Sequence, residues 1–209
     1  MLHPVTYFAH KLSLLLTLAF VAGTAHASNL TLLVLGDSIS AAYGMSLEQG
    51  WVHHLAQELD STHPGYSVVN ASISGETTDG GLRRLPALLD LHQPVLVIVE
   101  LGGNDGLRGF PVARIRKNLE AIAKLSQAAG AKVLLLPMEI PPNYGSRYTQ
   151  AFRNIFPATA KASGAHLGPF LLDGVATRRE LMQDDGIHPG IDAQPLLLDN
   201  LRATIIELL

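Results

Sequence analysis

A three-layer α/β domain, one parallel sheet covered by helices on both faces, is the fold this sequence predicts, and three observations carry the prediction. Short runs rich in Leu, Val and Ile, among them LTLLVLG, YSVVNA, VLVIVEL and AKVLLLPM, recur along the chain. Runs of this kind suit strands buried in a parallel sheet. Between them lie stretches with apolar residues three or four apart, the spacing of helices. The connections are short, so successive strands and helices pack as neighbours.

The first strand stops at Gly36-Asp37-Ser38. The glycine marks the turn out of the sheet and leaves Ser38 at the carboxyl end of the strand, where open α/β sheets bind ligands. Residues 41–45 read as a loop. Residues 47–59 read as a helix through Leu47, Trp51, Leu55 and Leu59, with Trp51 in the core. Pro64-Gly65 turns the chain into a second strand over 66–71, which runs into the small polar loop SISGETT. A helix over 80–91 tolerates Pro86 at some cost. Pro94 opens a third strand, which ends in Gly102-Gly103-Asn104-Asp105-Gly106. Residues 112–129 form a helix with Gly130 as its C-cap. Residues 131–138 are a fourth strand, followed by Pro141-Pro142. Residues 148–162 are helical with Pro157 inside, His166-Leu167 is a short fifth strand, 184–189 is a loop, and 192–208 is a closing helix. Residues 171–181 carry no recognisable pattern. Neither a repeat nor a linker divides the chain.

The 209 residues are 47% hydrophobic and 16% charged, enough for one well-packed core, and none is cysteine. That removes disulfides, a cysteine nucleophile, thiolate zinc sites and lipidated cysteine. Lys11 precedes the apolar run LSLLLTLAFVAG, and Ala25-His26-Ala27 is a small-x-small cleavage site, so residues 1–27 read as a cleaved export signal. The run is shorter than the ~20 residues of a membrane span. The mature domain is then 28–209, periplasmic or secreted, without stable membrane insertion. It carries 14 Lys and Arg against 18 Asp and Glu, a formal charge of −4, and no basic run that would suit nucleic acid.

A serine hydroxyl becomes a useful nucleophile only when a base removes its proton and a further group orients that base. Six histidines follow residue 27. His53, His54 and His92 fall on helices or their ends, His63 precedes a turn, and His166 lies in a strand. His188 lies in a loop bounded by glycine and proline, and Asp185 stands three residues before it. That spacing lets a carboxylate accept from Nδ1 and leaves Nε2 for Ser38. Acyl transfer further needs donors for the developing oxyanion, and the N–H groups of Ser38 and Gly75 with the Asn104 amide suit that task. Taken singly, each has an ordinary explanation: Ser38 or Asp37 as a helix cap, Gly75 and Asn104 as turn residues, His188 as a solvated loop residue.

Taken together, Gly36-Asp37-Ser38, Gly75 within SISGETT, Gly102-Gly103-Asn104-Asp105 and Asp185-Gly186-Ile187-His188 resemble the SGNH, or GDSL-type, lipases and esterases. VVNASISGETT, LVELGGNDGLRGF, NYGSRY and MQDDGIHP extend the likeness over nearly all of the mature chain, toward the periplasmic multifunctional members. The resemblance implies Ser38 as nucleophile, Asp185 and His188 as its partners, and Ser38, Gly75 and Asn104 as the oxyanion hole. It also implies a flavodoxin-like sheet of five parallel strands, no cofactor and no metal. The activity it implies is hydrolysis of esters and thioesters of fatty acyl groups through an acyl-enzyme, spanning acyl-CoA thioesterase, lysophospholipase and arylesterase reactions. The partner is a small lipid-like substrate; the oligomeric state is left open, with a monomer the default. Gly-x-Ser-x-Gly is absent, since residue 40 is Ser, so the nucleophile elbow of the α/β-hydrolases does not present Ser38.

Two other readings use the same residues. Asp37, Asp105, Asp185 and His188 are ligand types for a metal-dependent phosphoesterase, and a lipid or carbohydrate binder needs no chemistry. Leu107, Phe110, Ile140 and Tyr144 sit in apolar loops expected to flank the site as an acyl groove, with Gly106 and Gly109 as hinges of a lid.

Overall fold

The computed structural model describes residues 30–209. The export signal expected over 1–27 lies outside the described residues. Five strands, β1 (Leu30–Gly36), β2 (Tyr66–Asn70), β3 (Leu96–Glu100), β4 (Lys132–Leu135) and β5 (His166–Leu167), form one sheet in the order β2-β1-β3-β4-β5. Every pairing is parallel. The middle strands are buried on both faces: Leu32, Leu33, Val34 and Leu35 of β1 and Leu96, Val97 and Ile98 of β3 are fully shielded. This is the physical reason their sequences read as unbroken apolar runs. The edge strand β2 is only half-buried and its sequence is correspondingly mixed.

Among the described residues there are six α-helices: α1 (Trp51–Thr62), α2 (Thr78–His92), the short α3 (Gly103–Leu107), α4 (Val112–Ala128), α5 (Ser146–Ser163) and α6 (Gln194–Leu208). α1 packs beside α6, while α4 packs against both α2 and α5. Trp51, Leu55 and Leu59 of α1 and Leu197, Leu201 and Ile205 of α6 all belong to the hydrophobic core. Among the described residues no helix is long and apolar enough to cross a membrane.

The structure departs from the sequence reading in several places; the fourth strand, read over 131–138, for one, spans only Lys132–Leu135. The helix expected over 47–59 is split at Gly50 into a short 3-10 turn, Leu47–Gln49, and α1. Gly50 offers no side-chain cap, and the Trp51 N–H is taken instead by the buried Gln194 side chain, 3.0 Å away. The segment after β3, read as a loop, contains α3. Residues 171–181, to which no role was given, fold as turns that bury Leu171, Val175 and Leu181, and Asn200 of α6 donates to the carbonyls of Leu171 and Asp173.

Candidate active site

The strand order changes direction between β1 and β3, which leaves a crevice beyond their carboxyl ends. Ser38 follows β1 and Asn104 follows β3, so the two residues stand on either side of that crevice. Gly75 enters from the loop after β2. His188 arrives last, on the loop before α6, and its Nε2 lies 2.8 Å from Ser38 Oγ.

The His188 loop is a closed turn. Gln183 N–H donates to the His188 carbonyl at 2.8 Å, and Met182 bridges Pro189. Within it the Asp185 carboxylate accepts from the Ile187 and His188 N–H groups at 2.9 and 3.0 Å, while Gly186 supplies a left-handed φ of 67°. The second Asp185 oxygen lies 2.6 Å from His188 Nδ1. An ionised carboxylate only accepts, so Nδ1 carries the hydrogen and Nε2 is free to accept from the Ser38 hydroxyl. Partial burial works against ionisation of Asp185, yet these hydrogen bonds prevail and bring its carboxyl down to about 2. Tyr43 stacks on the His188 ring, centroids 4.3 Å apart, and its carbonyl accepts from the Gln183 side chain at 2.8 Å. The Ser38 loop and the His188 loop are thus tied together.

On the opposite side, Gly102 caps the start of α3, and its φ of 116° favours glycine. The turn sets Asn104 so that its Nδ2 donates to Asp37 Oδ2 at 3.1 Å, and among the described residues its second amide hydrogen has no acceptor. Asp37 is buried beside Ser38 and its other oxygen accepts from Ile39 N–H at 3.1 Å. Gly75 adopts a φ of 78°, and its carbonyl accepts from the Arg108 guanidinium at 3.0 Å, which fastens this loop to the end of α3. Among the described residues neither the Ser38 N–H nor the Gly75 N–H has an acceptor.

Asp105 points away from this constellation. Its carboxylate takes the Thr78 N–H and hydroxyl at 2.9 and 2.6 Å, at the start of α2. Asp37, Asp105 and Asp185 therefore have separate partners. Among the described residues no three His, Asp or Glu side chains are grouped as metal ligands.

The expected groove residues fall into different environments. Tyr144 is exposed and its hydroxyl donates to the Leu107 carbonyl at 2.8 Å; Tyr148 does the same to Phe110 at 2.7 Å. Leu107 and Phe110 are half-buried, whereas Ile140 is buried. A depression of about 470 Å³ is lined by Tyr144, Tyr148 and Ala151 but by none of the other three. Gly106 is no hinge: a Cβ there would stand 2.7 Å from Ile140 and 2.9 Å from Phe152, so close packing requires the glycine. Gly109, with a φ of 67° and open space around it, keeps the freedom expected of a hinge.

Residues 34–194 match the profile of the GDSL-like lipase/acylhydrolase family. The chain belongs to that family. Among family members, it is 52% identical to Esterase TesA of Pseudomonas aeruginosa over 92% of this chain and 96% of that one. It is 50% identical to the thioesterase 1/protease 1/lysophospholipase L1 of Escherichia coli, over 81% and 80% of the two chains. The crystal structure of the psychrotrophic esterase EstA from Pseudoalteromonas sp., inhibited by monoethylphosphonate, superposes with a TM-score of 0.82 at 47% identity, covering 85% of this chain and 97% of that one. The five-stranded parallel sheet is that of the SGNH hydrolases. Family motifs pointed to Ser38, Gly75, Asn104, Asp185 and His188; they did not point to Tyr43, Gln183, Arg108 or Glu100, which brace them. For Glu100 the sequence did hold a signal, an acid closing a strand that is otherwise wholly apolar.

Proposed function

We propose that this chain hydrolyses esters and thioesters of fatty acyl groups through an acyl-enzyme at Ser38. The observation that carries the reading is the unbroken line from Asp185 through His188 to Ser38, with contacts of 2.6 and 2.8 Å. In this mechanism Ser38 Oγ attacks the acyl carbon while its proton passes to His188 Nε2. The N–H groups of Ser38 and Gly75 and the free Asn104 amide hydrogen stabilise the oxyanion. Collapse expels the alcohol or thiol, which takes the proton from His188, and water repeats the sequence on the ester of Ser38. Asp185, ionised throughout, holds the tautomer and balances the imidazolium.

The names of the relatives, esterase and thioesterase 1/protease 1/lysophospholipase L1, support an acyl substrate with a variable leaving group. Leu107, Phe110 and Tyr144 supply the apolar wall for the acyl chain, at ~0.8 kcal/mol for each methylene buried, while the buried Ile140 packs beneath them. The leader read over residues 1–27 supports export to the periplasm or beyond.

The test is kcat/KM for acyl esters of two to sixteen carbons, below their micelle concentrations, in wild type, Phe110→Ser and Leu107→Ser. The expected optimum lies at medium to long chains and moves toward shorter ones in both variants. An optimum at acetyl, or an unchanged profile in both variants, rejects the acyl wall.

A further inference from the structure

A second buried acid stands beside Ser38 with no task in the mechanism above. Glu100 ends β3 in register with Gly36 of β1 and is fully buried. Its Oε2 accepts from the Asp37 N–H at 3.1 Å and from the Ser40 hydroxyl at 2.7 Å. A Cβ on residue 36 would stand 2.7 Å from that oxygen, so the glycine of Gly36-Asp37-Ser38 is what lets the Glu100 carboxyl lie across the end of β1. The other Glu100 oxygen, Oε1, is buried without a hydrogen-bond partner among the described residues, and the Asp37 carboxyl is near enough to act on Glu100. Asp37 in turn holds the Asn104 amide.

Among the described residues the ion pairs involve neither acid. Two neighbouring carboxyl groups, both buried and neither paired with a Lys or Arg, do not both ionise. One shared proton converts the repulsion into a hydrogen bond. Burial first, and then the neighbouring Asp37 charge, push the Glu100 carboxyl well above its ordinary range. Burial raises Asp37 as well, but the Ile39 N–H, Glu100, His188 and Asn104 all favour its charged form. The proton therefore resides on Glu100. The other groups facing this pair are the Ser40 hydroxyl on Glu100, the Asn104 amide on Asp37 and one titratable ring, His188, which acts on Asp37; the Ser72 hydroxyl from the loop after β2 is crowded against Gly36.

We propose that Glu100 is a positioning residue, a neutral carboxylic acid that donates to Asp37 and thereby holds the Asn104 amide where the oxyanion forms. The inference rests on Asn104 being an oxyanion donor. A glutamine at position 100 reproduces the arrangement, since its amide donates to Asp37 and its carbonyl accepts from the Asp37 N–H and Ser40. An apolar side chain of similar length reproduces none of it.

The experiment measures kcat and KM for a chromogenic ester in wild type, Glu100→Gln, Glu100→Met, Asn104→Ala and the Glu100→Met/Asn104→Ala double variant. It adds thermal unfolding of wild type and Glu100→Gln from about pH 5, just above the free glutamate range, to about pH 8. Glu100→Gln keeps kcat within about threefold of wild type, while Glu100→Met lowers it roughly 10- to 100-fold with little change in KM, the scale of a misplaced group. On the Asn104→Ala background the same substitution adds little, because both act on one donor. Wild-type kcat in Glu100→Met, or full additivity with Asn104→Ala, overturns the inference. An Asn104→Ala variant with wild-type kcat removes the oxyanion assignment itself, a failure distinguishable from the first two. If Glu100→Met does not fold, the unfolding arm decides. A carboxyl raised above its unfolded value stabilises most at low pH and loses that contribution as pH rises, so the Tm of wild type falls relative to Glu100→Gln across the range. Parallel Tm profiles contradict a neutral acid at position 100.

Discussion

Asp185 reaches Ser38 through His188, whereas Glu100 braces the turn through Asp37 and Ser40, the residues it contacts on either side of Ser38 in the sequence. The protein keeps these two acids in opposite charge states. Asp185 sits on a surface turn; partial burial opposes its ionisation, but the His188 and Ile187 N–H groups and the His188 ring hold its carboxyl at about 2. Glu100 closes a buried strand, and burial followed by the charge of Asp37 pushes it well above the ordinary range. The difference teaches that environment, not residue type, divides the labour of the site. In the proposed mechanism the half built on the 182–189 loop moves a proton and needs a fixed anion. In the same mechanism the half built on the ends of β1 and β3 holds the oxyanion donors still and has no room for a second charge.

The largest break in this comparison comes from Asp185→Asn. Losing the anion and the tautomer should lower kcat/KM roughly 10³- to 10⁴-fold, as in other serine hydrolases, while slow labelling by a fluorophosphonate continues. A loss no greater than that of an oxyanion donor would mean that His188 does not depend on Asp185. The same variant has a stability signature opposite in sign to that of Glu100. A depressed carboxyl stabilises above its unfolded value of about 4 and loses that contribution as pH falls toward about 2. Acid-side Tm profiles of wild type and Asp185→Asn should therefore converge as pH drops.

A smaller effect is expected from the sheet-borne half. Asn104→Ala should lower kcat roughly 10²- to 10³-fold with KM nearly unchanged, since the amide acts chiefly in the transition state. A change confined to KM would assign Asn104 to ground-state binding and remove the distinction between the two halves.

Much of this was legible in the sequence because the chemistry follows strand ends. The run LTLLVLG reads as a buried strand, and its end locates Ser38; the i, i+3 spacing of Asp185 and His188 matches the observed turn. What escaped was set by contacts rather than by pattern. α3 has five residues, too few for a helical period to register, yet it carries Asn104. Gly106 read as a hinge because its packing against Ile140 and Phe152 depends on segments distant in sequence. Ile140 read as a groove residue for the same reason, although it is buried. Residues 171–181 had no period to find, being turns held by α6. Glu100 stood in plain view in VLVIVEL, but its meaning depends on Asp37, 63 residues earlier.

The central claim is that the acyl group passes through Ser38. Quenching the wild-type enzyme in acid during turnover of a long-chain chromogenic ester, followed by peptide mass spectrometry, tests it directly. The account predicts the acyl mass on the peptide containing Ser38, and neither adduct nor turnover in Ser38→Ala. An adduct on another residue, or turnover that persists in Ser38→Ala, would contradict it.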